Sequence, residues 1–95
     1  MSCRRITLVA DDYGLAPGVS LAIRQLLAEG RLSGTSCLTV GAFWPEAAGL
    51  LRSLLATAGP LEIGLHLCLT GPFAPLSPQL RVDAGGYLKW YDYHA

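Results

Sequence analysis

Charge of one sign is missing from this sequence: seven lysines and arginines balance seven aspartates and glutamates, and neither sign gathers into a block. A nucleic-acid or anionic-membrane role therefore has no electrostatic footing. Long apolar runs are missing as well. None approaches the roughly 18 residues that a membrane span needs, although hydrophobic residues make up 52% of the chain, so the apolar excess belongs to buried strands and helices. Cysteine is scarce. Cys3, Cys37 and Cys68 are odd in number and lack C-x-x-C spacing, a pattern of reduced thiols, two of them small hydrophobes in apolar runs, and not of a disulfide framework or a thiolate metal site. Arg4 and Arg5 precede only the short run Ile6 to Ala10 before two aspartates intervene, too little for the core of a signal peptide, and a cytoplasmic location is expected. At 95 residues the chain makes one domain at most, and a short one for the fold its pattern suggests.

What is present is an alternation of strand and helix signals, the mark of β-α-β units and a parallel sheet. Ile6 to Ala10 reads as a strand closed by Asp11 and Asp12, with Asp11 to Gly14 as a loop. Pro17 suits the first turn of a helix, where its missing N–H costs nothing. Val19, Ala22, Ile23, Leu26 and Leu27 form one apolar stripe, and Gly30 ends that helix. Thr35 to Val40 is β-branched and short, a second strand. A second helix starts at Pro45 and Glu46, carries Ala47, Leu50, Leu51, Leu54 and Leu55, and stops at Gly59-Pro60. Leu61 to Thr70 reads as a third strand in which Gly64, His66 and Cys68 share one face. Three prolines between Gly71 and Pro78 demand a loop, and Leu80 to Tyr91 a β-hairpin.

Ligands bind at the carboxyl ends of strands in parallel α/β sheets, so the residues that end strands one and three stand where chemistry is done. Two neighbouring carboxylates repel unless a cation or a proton separates them. If the two strands are neighbours, Asp12 and His66 converge as oxygen and nitrogen ligands for a divalent metal, and Asp11 is left over as a base. A solvated turn accounts for Asp-Asp-x-Gly equally well, and a lone histidine in an apolar strand is commonly a satisfied core residue. Gly64, one same-face step before His66, leaves room beside the ring. Tyr13, Tyr87, Trp90, Tyr91 and Tyr93 fit either packing or sugar stacking.

The segments Val9 to Val19, Gly34-Thr35-Ser36 and Gly64 to Thr70, in that order, resemble the amino-terminal part of the YdjC-like (ChbG/HpnK-type) carbohydrate deacetylases. The resemblance runs from about Ile6 to about Ser77. It implies metal-dependent removal of the N-acetyl group from amino sugars such as chitooligosaccharides, on a (β/α) barrel-like fold. Here that would be its β-α-β-α-β part followed by the loop and hairpin, and residues 1–95 a single partial domain. By the same resemblance Asp12 and His66 are metal ligands, Asp11 is the general base, and the ion is Mg²⁺, with Zn²⁺ or Mn²⁺ as alternatives; substrate-binding residues stay unassigned. The resemblance also implies a third metal histidine beyond Ala95 and a barrel of roughly 250 residues. His94 reads as tail. The chain is thus expected to be an incomplete, inactive fragment that pairs with a second copy through a bare strand edge or its aromatic hairpin. Two rivals remain: a structural remnant without catalysis, and a Mg²⁺-binding receiver-like module, which lacks its aspartate at the end of strand three. Deacetylases of the NodB type share the paired aspartates, but their His-x-x-x-His pair is absent.

Overall fold

The computed structural model describes residues 2–68. The loop expected at 71–78, the hairpin at 80–91 and His94 lie outside the described residues. Within them the order is strand β1 (Val9–Tyr13), helix α1 (Pro17–Ala28), strand β2 (Gly34–Cys37), helix α2 (Trp44–Leu55) and strand β3 (Glu62–Leu65). The strands form one parallel sheet in the order β1-β2-β3, so the alternating pattern of the sequence becomes two consecutive β-α-β units with β2 at the centre.

All three strands are displaced or shorter than their apolar runs suggest. β1 begins at Val9, not Ile6, because a strand extends only as far as it has a partner, and its ladder opens at Val9 opposite Gly34. Ile6 is 82% exposed, and beyond the ladder the chain is held only where Leu8 and Ser33 exchange bonds, the Leu8 N–H to Ser33 Oγ and the Ser33 N–H to the Leu8 carbonyl. Asp11 and Asp12 therefore lie inside β1 and not in the loop that follows it. β2 stops at Cys37, one bond short of Leu38, whose N–H donates to the Tyr13 carbonyl at 2.7 Å; past that point the β1 chain has turned away and Thr39 and Val40 have no neighbour to ladder with. β3 likewise stops at Leu65, and His66 adds one more bond, its N–H donating to the Cys37 carbonyl at 2.9 Å.

Both helices start at their prolines and α1 ends at its glycine, whereas α2 ends at Leu55, short of the expected stop at Gly59-Pro60. Pro17 occupies the first turn of α1, and the helix closes with Gly30 in the left-handed region at φ 73°. The Arg31 N–H returns to the Leu26 carbonyl and the Gly30 N–H to the Leu27 carbonyl, the two bonds that satisfy the last orphan carbonyls of a helix ended by glycine. α2 opens with Trp44 and Pro45.

The core joins β1 and β2 to both helices: Tyr13, Ile23, Leu27, Cys37, Ala47 and Leu51 are buried against one another. The inner line of α1 is Ser20, Ile23 and Leu27, whereas Val19 and Leu26 are each 37% exposed. The expected stripe holds at Ile23 and Leu27 and differs at its first turn, where Ser20 and not Val19 faces inward because a polar group must be served there. Gly14 turns the chain at φ 97° and its buried N–H donates to Ser20 Oγ at 2.9 Å, a need that valine cannot meet. Tyr13 is fully buried with its hydroxyl satisfied: it donates to the Ala47 carbonyl and accepts from Arg24 at 3.0 Å, while its ring meets Trp44 edge-on. Of the two readings open for this tyrosine, packing is the one realised.

Gly34 is where the sheet is tightest. A Cβ at this position would sit inside the contact shell of the Glu62 carbonyl oxygen, whereas one at Gly49, within α2, would meet nothing within 4 Å. Gly34→Ala is expected to lower unfolding stability by about 1–3 kcal/mol through forced separation of β2 and β3, and Gly49→Ala to raise it by up to about 1 kcal/mol through helix propensity. Urea unfolding followed by far-UV circular dichroism checks both, and a neutral Gly34→Ala would mean that the β2–β3 register is looser than described.

Candidate active site

The register of β1 against β2 contains one irregularity. Ala10 pairs with Thr35 and Tyr13 with Cys37, so two residues, Asp11 and Asp12, stand opposite Ser36 alone. Asp12 takes φ 71°, a left-handed conformation that aspartate tolerates better than most side chains. In a regular strand Asp11 and Tyr13 would share a face and Asp12 would enter the core. The bulge shifts the alternation by one residue. Tyr13 goes to the core beside Cys37, and neither carboxylate has to.

The opposite face of the sheet carries the polar groups. Ser36 Oγ donates to Asp11 Oδ1 at 2.9 Å and lies 3.4 Å from His66 Nδ1. His66 Nδ1 in turn lies 3.3 Å from Asp12 Oδ1. Asp11 is exposed, and Asp12, Ser36 and His66 are half-buried. The backbone beneath is pinned on both sides, by the bond from His66 N–H to Cys37 and by the bond from Leu15 N–H to the Asp12 carbonyl at 3.0 Å. Three strands thus bring four side chains together: Asp11 and Asp12 from β1, Ser36 from β2, and His66 from just past β3. A Cβ on Gly64 would meet no atom within 4 Å, so the space beside His66 is open.

Asp12 and His66, paired from the sequence on the condition that strands one and three are neighbours, are adjacent in space although β2 lies between those strands. Asp11 joins them through Ser36, which the sequence reading did not single out as a site residue. The signal that finds it is register: once β2 is known to lie between β1 and β3, the polar residue opposite the paired aspartates must face them.

The donor set is one carboxylate oxygen and one imidazole nitrogen, of which zinc takes both, while manganese and magnesium favour the carboxylate. Two donors each about 2.0–2.1 Å from one tetrahedral ion would be about 3.3 Å apart, which agrees with the 3.3 Å between Asp12 Oδ1 and His66 Nδ1. No cluster of three such ligating residues occurs among the described residues, so the geometry fits a partial site of two protein ligands. The cysteines take no part. All three are free, and burial pushes the Cys37 thiol up.

A family model described as YdjC-like protein matches residues 5–94. The chain belongs to the YdjC-like family. Among curated YdjC-like relatives, a carbohydrate deacetylase of Enterococcus faecalis is 33% identical over 97 aligned residues, with 96% of this chain and 35% of the relative covered. A chitooligosaccharide deacetylase of Enterobacter sp. is 34% identical, with 85% of this chain and 31% of the relative covered. The crystal structure of an Enterococcus faecalis protein described as a cellobiose-phosphate cleavage protein superposes with a TM-score of 0.68 at 31% identity, covering 86% of this chain and 32% of that one. This YdjC-like chain therefore spans about a third of the length of the curated relatives it matches. The α/β architecture with a parallel sheet agrees with that neighbour.

Asp12→Gly is expected to leave the melting temperature unchanged or higher, because glycine adopts positive φ without strain, whereas Asp12→Val should lose roughly 1–2 kcal/mol. A lower melting temperature for Asp12→Gly would show that carboxylate contacts, and not backbone conformation, hold the bulge. In a thiol-labelling time course at neutral pH, exposed Cys3 should react first and Cys37 only on unfolding, since burial disfavours its thiolate; equal rates would contradict the described core.

Proposed function

We propose that this chain carries the amino-terminal part of the active site of a metal-dependent carbohydrate deacetylase acting on N-acetylated amino sugars of the chitooligosaccharide type. The observation that carries this reading is the approach of Asp12 and His66 to 3.3 Å at the carboxyl ends of β1 and β3, with Asp11 beside them. The names of the curated relatives support the substrate class.

Asp12 and His66 would hold the ion, with Mg²⁺ favoured and Zn²⁺ or Mn²⁺ as alternatives. When bound, such an ion supplies positive charge that makes a water more acidic and polarises the amide carbonyl. Asp11 acts as general base. Its Oδ1 is occupied by the Ser36 hydroxyl, which leaves Oδ2 to accept the water's proton. The water oxygen bonds to the acetyl carbon, the C–N bond breaks, and the nitrogen takes up the proton that Asp11 accepted, giving acetic acid and a free amine. The open space at Gly64 supplies room for the sugar's acetyl group beside His66.

Titration calorimetry with Mg²⁺, Mn²⁺ and Zn²⁺ tests the centre. Weak binding is expected of two protein ligands, abolished in Asp12→Ala and in His66→Ala and largely kept in Asp11→Asn. Binding that survives both alanine variants would exclude the site. Asp11→Asn in an active form should lose turnover, because an amide cannot take the proton.

A second reading, a remnant without turnover, is favoured by the count of two donors among the described residues. By it, the 95-residue chain releases no measurable acetate from N-acetylglucosamine oligomers, while a version extended to the length of the relatives does. Acetate release by the short chain, lost in Asp11→Asn, would dismiss that reading.

A cytoplasmic location and a homodimer complete the proposal. No helix among the described residues is long and apolar enough to cross a membrane. Leu65 and Leu67, 65% and 67% exposed at the β3 edge, supply an apolar edge on which a second copy could pair. Light scattering that shows a compact monomer at high concentration would argue against the dimer.

A further inference from the structure

We infer that Ser36 is a positioning residue that fixes the rotamer of Asp11, so that the base presents one defined oxygen to the reacting water. The inference rests on the reading of Asp11 as the base. A serine hydroxyl has a single proton, and Ser36 Oγ lies nearer to Asp11 Oδ1, at 2.9 Å, than to His66 Nδ1, at 3.4 Å. The shorter contact, to an anionic oxygen, takes the proton. His66 is then left facing a lone pair of Ser36 Oγ.

The two ends of this bond differ in rigidity. Ser36 sits on the central strand, paired with Gly64 of β3 and held between Thr35 and Cys37, which pair with Ala10 and Tyr13 of β1. Asp11 sits in the bulge, where the ladder is interrupted, and is exposed. Among the described residues no other side chain donates a hydrogen bond to its carboxylate. An exposed, singly bonded carboxylate without that donor samples several staggered rotamers, and general-base catalysis falls when the base is not held within hydrogen-bond reach of its proton. Ser36 is therefore the part that turns a solvent-facing aspartate into a directed base, while the ligand pair Asp12 and His66 keeps its own geometry through backbone bonds to Leu15 and Cys37.

The test is NMR on the isotopically labelled 95-residue chain, reading the three-bond couplings from the backbone nitrogen and carbonyl carbon of Asp11 to its Cγ. Single-rotamer values are expected in the native chain, averaged values in Ser36→Ala, and single-rotamer values again in Ser36→Thr, which restores the hydroxyl. The couplings of Asp12 should not change. Unchanged Asp11 couplings in Ser36→Ala, or averaging of Asp11 and Asp12 together, would overturn the inference, the latter because it would mean that Ser36 merely holds the bulge. Mn²⁺ added to the same samples separates this result from the metal reading. Line broadening centred on Asp12 and His66 should persist in Ser36→Ala; its loss in that variant alone would move Ser36 to the ligand pair and overturn the inference. No broadening in either sample would sink the metal centre and leave the rotamer result standing. In a form that releases acetate, Ser36→Ala should lower kcat roughly 10–100-fold at constant KM, with no further loss in an Asp11→Asn background; an additional loss there would place the action of Ser36 elsewhere.

Discussion

One extra residue in β1 is the constraint on which the rest depends. A parallel strand alternates its side chains strictly, so the sequence Asp11-Asp12-Tyr13 in a regular strand would send one carboxylate into the core and leave the tyrosine on the open face. The bulge opposite Ser36 removes that conflict. It seats the ring of Tyr13 among the helices, where its hydroxyl finds the Ala47 carbonyl and Arg24, and it leaves two adjacent carboxylates on the polar side of the sheet. Burial of an unpaired carboxylate would cost several kcal/mol. The left-handed conformation of Asp12 costs about 1–2 kcal/mol. The smaller cost is the one the fold accepts.

Fold and site are thereby coupled at a few atoms. Gly14, immediately after the bulge, turns the chain so tightly that a Cβ there would lie 2.6 Å from the Leu38 carbonyl oxygen, and its N–H is satisfied by Ser20. Leu38 returns a bond to the Tyr13 carbonyl. The same turn that starts α1 therefore sets the end of β1, and with it the height at which the aspartates stand above β2. On the other side, the close approach permitted by Gly34 brings β3 against β2, and the bond from His66 N–H to Cys37 fixes how far the imidazole reaches. Four polar side chains meet because three strand ends are levelled by backbone contacts, with no support from a buried ion pair among the described residues.

Membership of the YdjC-like family and the two-ligand geometry are consistent with each other in a specific way. A parallel three-stranded segment presents only the groups that its own strand ends carry, here one carboxylate and one imidazole, and under the proposed reading a divalent ion that prefers four to six donors would draw the remainder from water or from further protein. Among the described residues the Asp11 carboxylate is held from the central strand by the Ser36 hydroxyl.

Much of this was legible in the chain itself. Local punctuation determined the helices: Pro17 at the start of α1 and Gly30 at its end act through φ restrictions and missing N–H groups, which need no partner to operate. The alternation of strand and helix signals determined the parallel α/β class, and the spacing of Asp11, Asp12 and His66 relative to their strands determined which residues would meet. Strand limits were decided only by tertiary structure, because pairing depends on what lies opposite: Ile6 is as apolar as any strand residue yet has no neighbour, and Thr39 and Val40 are β-branched yet stand past the end of β1. The bulge was decided there too, since nothing in Asp-Asp-Tyr says which residue is extra until the core claims the tyrosine. Ser20 in place of Val19 on the inner face of α1, and Ser36 beneath Asp11, belong to the same class. Each answers a hydrogen-bonding group outside its own helix or strand, the Gly14 N–H and the Asp11 carboxylate, and a one-dimensional pattern of apolar residues carries no record of that demand.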